Sequence, residues 1–189
     1  MVFEPFCAGN EFSDGVARIW LDGADALLRL DGTVVRVPAA DWVSAYCYEG
    51  LIQFQRSDRW GYLDREGRVV IPPAYEATGN FSEGLAGVKI DGKLGYIDAR
   101  GAIAIEPRFD EAASFREGLA RVTVDGRDLY IDRTGAIVIR THFHAAFHFF
   151  EGVTPVYIKF KRAFDRFLPP GLLRFLGRGR GRDVPKGDQ

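Results

Sequence analysis

The sequence is poor in the residues that most often carry chemistry. Its 189 residues include two cysteines, one methionine and three histidines. Two cysteines exclude a disulfide scaffold, and Cys7 and Cys47 fit no CxxC motif and no metal-ligand spacing. No stretch approaches the roughly 20 consecutive apolar residues that span a bilayer. The opening MVFEPFCAGN lacks a positive segment followed by an apolar run and does not read as a secretory signal. GxSxG, HExxH, P-loop and helix-initiating GxGxxG patterns are missing. These absences lead to the expectation of a cytoplasmic, non-enzymatic protein with reduced thiols and no cofactor.

An excess of one charge is missing too, since the formal net charge is -1. That balance conceals an asymmetry. Residues 159–189 carry nine basic and three acidic side chains, a net +6, which leaves -7 on residues 1–158. An acidic body with a basic C-terminus implies contact between the tail and something anionic, the chain's own acidic face included.

Glycine, at 22 residues, is what the sequence has in excess. The glycines are periodic. An acid-glycine pair recurs as Asp14-Gly15, Glu49-Gly50, Glu83-Gly84, Glu117-Gly118 and Glu151-Gly152, at steps of 35, 34, 34 and 34. Phe12, Phe81, Phe115 and Phe149 sit three residues before the glycine, and Cys47 takes that place in the second copy. Trp60-Gly61-Tyr62-Leu63-Asp64-x-x-Gly67 returns as Leu94-Gly95-Tyr96-Ile97-Asp98-x-x-Gly101 and as Asp128-Leu129-Tyr130-Ile131-Asp132-x-x-Gly135. Apolar runs at 69–71, 103–105 and 137–139 follow, and then Pro73-Ala74-Tyr75-Glu76 and Pro107-Arg108-Phe109-Asp110. Such a period marks a repeat architecture.

Inside a unit the apolar period is two. Ala86, Val88 and Ile90 alternate with Gly87 and Lys89, which predicts a half-buried strand. Asp91-Gly92 and Asp125-Gly126 predict hairpin turns, because glycine accepts positive φ. Asp-x-x-Gly predicts a turn in which the carboxylate satisfies backbone N–H groups. A third extended run is expected to end at Pro107, which has no N–H to donate. Each unit should therefore hold two or three short antiparallel strands, and no helical period precedes about residue 160.

These residues resemble the WG-repeat (KWG-repeat) family, whose motif is similar to Trp60 through Ala86 and to Leu94 through Ala120. The likeness extends over residues 12 to 158. It implies a repeat β architecture and an interaction module with no shared reaction.

Several side chains are candidate sites. Asp64, Asp98 and Asp132, and the series Glu49, Glu83, Glu117 and Glu151, would line an edge of the array. Carboxylates in rows can bind cations or move protons, but these occupy turn positions where they cap amides. His142, His144 and His148 form the one histidine cluster; two at i and i+2 share a strand face and could reach a metal. In the repeat register they replace Arg108, Asp110 and Ser114, which read as surface positions. Cys47, in the register of a core phenylalanine, reads as buried and inert. Near the C-terminus Phe160, Phe164, Phe167 and Leu168 share one helical face, ahead of an Arg-Gly tail in which Arg174, Arg178, Arg180 and Arg182 are partner-binding candidates.

The reading is an all-β chain. Residues 1–158 form about 4.5 WG-like units of 34 residues, β-hairpin or meander repeats stacked in a curved array. The period leaves open whether the array is solenoid-like or partly closed. Residues 159–189 form a basic cap or tail with a short helix. The expected function is protein–protein interaction, narrowed to a bacterial immunity or antagonist protein. The alternatives are a metal protein or enzyme centred on the three histidines, and a membrane-surface adaptor acting through the basic segment. No nucleic-acid partner is expected.

Overall fold

Short alternating strands joined by two-residue glycine turns pair with their neighbours in sequence, and a computed structural model shows that outcome throughout. It describes residues 11–140, 145–146 and 156–157. The first sheet is a meander of β1 (Val16–Leu21), β2 (Ala24–Arg29) and β3 (Val34–Arg36). The second runs β4 (Trp42–Tyr48), β5 (Leu51–Arg56), β6 (Arg59–Leu63) and β7 (Val69–Tyr75). The third holds β8 (Ala77–Thr78), β9 (Leu85–Ile90), β10 (Lys93–Asp98) and β11 (Ile103–Phe109). The fourth holds β12 (Glu111–Ala112), β13 (Leu119–Val124), β14 (Arg127–Asp132) and β15 (Ile137–Arg140). A strand pair, β16 (Ala145–Ala146) with β17 (Val156–Tyr157), follows. Every pairing is antiparallel, and no described residue is helical. The expected C-terminal helix lies outside the described residues.

Both turn types form at the predicted glycines. Asp91-Gly92 and Asp125-Gly126 take positive φ at both residues, the geometry whose twist suits a two-residue hairpin. In each Asp-x-x-Gly turn one carboxylate oxygen holds two amides. Asp98 Oδ1 accepts from the N–H of Arg100 and of Ala102, both at 2.9 Å. Asp64 and Asp132 repeat this on residues 66 and 68, and 134 and 136.

The third strand differs from expectation. β11 runs through Pro107 to Phe109, and β7 runs through Pro72 and Pro73 to Tyr75. The register explains it. Leu94 pairs with Phe109 and Tyr96 with Ile105, so four residues span what two span opposite. This bulge lifts the proline out of the ladder, where its missing N–H costs nothing. It also explains the glycine of the motif. A Cβ at Gly95 would lie 2.6 Å from the Ile105 carbonyl oxygen, and one at Gly61 would clash with that of Ile71. In the fourth sheet Leu129 stands in the glycine position and pairing stays regular there, with Leu129 opposite Arg140 and Tyr130 opposite Ile139. In the first, Ala26 stands there and pairs regularly with Arg36.

Consecutive sheets bury their cores between them. Val16, Leu27, Val43, Cys47, Ile52, Phe54 and Leu63 join the first sheet to the second. Leu51, Tyr62, Ile71, Phe81, Ala86, Val88 and Ile97 join the second to the third. Leu85, Tyr96, Ile105, Phe109, Phe115, Ala120, Val122 and Ile131 join the third to the fourth. Tyr62 meets Phe81 edge-on at 4.8 Å, and Tyr96 meets Phe115 at 4.9 Å. Each such side chain contributes about 1.5–3 kcal/mol by leaving water. The tyrosine hydroxyls donate at 2.7 Å to the carbonyls of Gly79 and Ala113, in the segment leading into the next unit. That satisfies the polar end of each buried ring.

Candidate interaction surface

Three of the recurring acids, Asp14, Glu49 and Glu83, are engaged by the architecture. Glu49 Oε1 and Oε2 accept from the N–H of Glu83 and Gly84 at 2.7 and 2.9 Å. Glu83 Oε2 accepts from Gly118 N–H at 2.9 Å, and Asp14 Oδ2 from Gly50 N–H at 2.7 Å. Each acid thus caps the turn of the following copy rather than its own. Serine before the acid adds a second link: Ser82 Oγ donates to the Phe115 carbonyl at 2.7 Å, and Ser13 Oγ donates to the Cys47 carbonyl at 2.9 Å. Glu49, Glu83 and Glu117 hold φ near +50°, a region costing non-glycine residues about 1–2 kcal/mol. The capping bonds of Glu49 and Glu83 offset that cost.

Cys47 is buried beside the first of these acids, its Sγ–H 3.7 Å from Asp14 Oδ2. Burial pushes its thiol pKa up to about 11, which favours the protonated thiol at neutral pH. The guanidinium of Arg65, 2.5 Å from Asp14, holds that carboxyl below its ordinary range. A surface cleft of about 320 Å³ opens beside this pair, lined in part by Arg29, Asp31, Arg65 and Glu66. Its charges are already partnered: Arg65 with Asp14, Arg29 with Glu66 at 3.8 Å, and Asp31 with the Thr33 N–H at 2.9 Å. Among the described residues no group of three or more His, Cys, Asp or Glu side chains is placed to hold a metal ion. With no helix among them, the described residues hold none long and apolar enough to cross a membrane. His142, His144 and His148 lie outside the described residues, as do Glu151, Arg174, Arg178, Arg180 and Arg182.

The aromatic side chains outside the core tell a different story. All three tryptophans fall in the first two sheets. Trp42 and Trp60 flank Gln55 across three strands and meet edge-on at 5.2 Å. Tyr46 and Tyr48 lie 6.3 Å apart on β4. Trp20, Trp42, Tyr46 and Tyr48 expose 48%, 38%, 60% and 39% of their surface. In the third and fourth sheets the row holding Trp42, Gln55 and Trp60 carries Ala77, Lys89 and Leu94, then Glu111, Thr123 and Asp128. Among the described residues this aromatic row is therefore particular to the second sheet.

Tyr46 owes its position to one extra residue. Val43 pairs with Phe54 and Cys47 with Ile52, so Ser44, Ala45 and Tyr46 bulge from the strand, with Ser44 Oγ accepting from the Tyr46 N–H at 3.0 Å. The same insertion makes the first glycine step 35 rather than 34. Sequence reasoning passed over Trp42, Tyr46 and Tyr48. The signal available was that irregular step, together with three large aromatics where the third and fourth copies carry Ala77, Asn80 and Ser82, and Glu111, Ser114 and Arg116.

Four meander sheets, built on one register and joined face to face by alternating apolar residues, define an all-β repeat protein. The family described as the WG containing repeat matches residues 60–93, 95–127 and 130–159, and the chain belongs to it. No curated protein matches the chain. The family unit is out of phase with the sheets: residues 60–93 contain β6 and β7 of the second sheet and β8 and β9 of the third. Each sequence unit thus supplies half of two sheets.

Proposed function

We propose that the protein is a non-enzymatic protein-binding module whose contact surface centres on Trp42, Tyr46, Tyr48 and Trp60. One observation supports this reading above the rest. Asp14, Glu49 and Glu83 are engaged by hydrogen bonds within the chain, whereas Trp42, Tyr46 and Tyr48 of the second sheet stay exposed, with Trp60 half-buried against Trp42. Exposed aromatics cost solvation in an isolated domain, and they are enriched at protein interfaces because they bury much area with little rotamer entropy lost. The repeat supplies the rigid base on which such a patch is held.

Capture from lysate by the full chain, compared with a Trp42→Ala/Tyr46→Ala variant, tests the reading. A protein retained by the parent and lost by the variant, at an unchanged melting temperature, supports it. Equal retention by both moves the contact elsewhere. A narrower role, as an antagonist that occludes a toxin, requires that the retained protein be an enzyme whose activity falls on binding.

A further inference from the structure

The last strand of each larger sheet leaves apolar side chains in solvent. Val34, Val69, Ile103 and Ile137 stand opposite Leu28, Leu63, Ile97 and Ile131, so they hold one repeat position in successive sheets. Each of the four exposes between 38% and 48% of its surface. The neighbouring position repeats the pattern. In the second, third and fourth sheets the register skips Val70, Ala104 and Val138, which bulge from the ladder and are exposed as well. A bulge re-aims the side chain it carries, and here it turns an apolar one outward in each sheet. None of these residues belongs to a core cluster, so core packing does not account for their being apolar.

These strands lie side by side along the array. A Cβ at Gly101 would sit 3.3 Å from Cγ2 of Ile71, and one at Gly135 would sit 3.0 Å from Cγ2 of Ile105. The turn that leads into each such strand therefore rests on the corresponding strand of the sheet before it. Sheets packed face to face are about 10 Å apart, which gives an apolar band with one step per sheet at about that spacing. Arginine accompanies the band on the turn side, as the exposed Arg68, Arg100 and Arg133. The aspartates of the same turns, Asp64, Asp98 and Asp132, are bonded to backbone amides, and Glu66 is met by Arg29.

We propose that this edge is a second interaction surface, and that its partner is an amphipathic α-helix with an apolar residue every seven positions and carboxylates beside them. Residues seven apart on a helix are separated by about 10.5 Å on nearly one face, so a helix of about 20 residues laid along the band sets one apolar side chain on each sheet. Aliphatic rows suit the apolar face of a helix, whereas polyproline segments are taken by aromatic grooves. The exposed arginines match carboxylates on the helix flank. The surface is separate from the aromatic one, because β7 and β4 are opposite edges of the second sheet.

A synthetic peptide of about 21 residues is the probe, with one Leu per heptad, Glu on one flank, and Ala and Gln elsewhere. A single Leu per heptad gives it no coiled-coil seam with which to pair with itself. Fluorescence anisotropy of the labelled peptide is read against the full chain. The expected result is saturable binding, weakened about tenfold by Ile103→Thr/Ile137→Thr, a change that keeps the β-branch and removes apolar surface. A peptide with Lys in place of Glu should also bind about tenfold more weakly. Absence of saturable binding up to about 1 mM peptide overturns the proposal. So does undiminished binding by the Thr variant, or binding of the Lys peptide as tight as that of the Glu peptide. Should the Thr variant melt at a lower temperature than the parent, Val70→Thr/Val138→Thr, on the bulged residues outside the ladder, is read by the same criterion.

Discussion

Glu49 and Gly84 are 35 residues apart in sequence, and the carboxylate of the first accepts a hydrogen bond from the backbone N–H of the second at 2.9 Å. The bond joins two copies of the repeat, and Asp14 with Gly50 and Glu83 with Gly118 make the same link. A capping carboxylate of this kind contributes about 1 kcal/mol. Glu49→Ala and Glu83→Ala should each lower the unfolding free energy by about that amount in urea titrations. Ser82→Ala, which strands the Phe115 carbonyl in a partly buried site, should cost a similar amount.

The glycine of the WG motif is required by space, not by backbone conformation. At Gly95 a side chain meets the Ile105 carbonyl at 2.6 Å and the nitrogen of Pro107 at 2.7 Å, both backbone atoms that cannot swing away. Gly95→Ala should destabilise the chain by about 2–3 kcal/mol. Leu129, in the same repeat position, pairs without a bulge, so Leu129→Ala should cause no such clash. Thermal melts of the two variants provide the comparison.

Stability should fall on the alkaline side. Burial pushes the pKa of Cys47 up to about 11 from 9.0, and burial raises Tyr62 and Tyr96 above the ordinary tyrosine range. The folded state therefore favours the neutral forms. Their contribution is complete below the unfolded pKa values and is lost as pH rises through them toward the folded ones. The urea midpoint should hold steady up to about pH 8.5 and decline above pH 9. Tyr96→Phe should flatten that decline while lowering the plateau by about 1 kcal/mol, through loss of the bond to Ala113.

On the acid side the sign reverses. Backbone hydrogen bonds from Ala102 and Arg100 hold the Asp98 carboxyl below its ordinary range, and the Thr134 hydroxyl and amides do the same for Asp132. Depressed carboxyl pKa values add stability above the unfolded pKa, and that stability is lost as pH falls through the folded value. The urea midpoint should drop below about pH 4. Replacing both residues with Asn should make that drop shallower.

Much of the fold was legible because glycine and alternation act locally. Asp91-Gly92, Asp98-x-x-Gly101 and the strand from Leu85 each declare themselves within a few residues. The third strand was less legible. Pro107 reads as a stop, and only the bulge of β11 opposite Gly95, twelve residues earlier in the chain, lets β11 continue to Phe109. The acid-glycine acids read as turn residues, but their partners lie in the next copy, beyond the reach of local turn chemistry. The exposed aromatics at 42, 46 and 48 were illegible for another reason. Alternation shows that a strand has two faces but not which one meets another sheet.

The carboxylate links run in one direction, from each copy to its successor. A segment of 34 residues inserted or removed in register keeps every donor facing an acceptor, whereas a fractional change misaligns the links downstream of it. The chain's one fractional change, the extra residue at Ser44–Tyr46, sits in a bulge away from those turns and leaves the link from Asp14 to Gly50 intact. The molecule is wired so that it can be lengthened by duplication of whole units, with local insertions confined to places where they acquire a surface of their own.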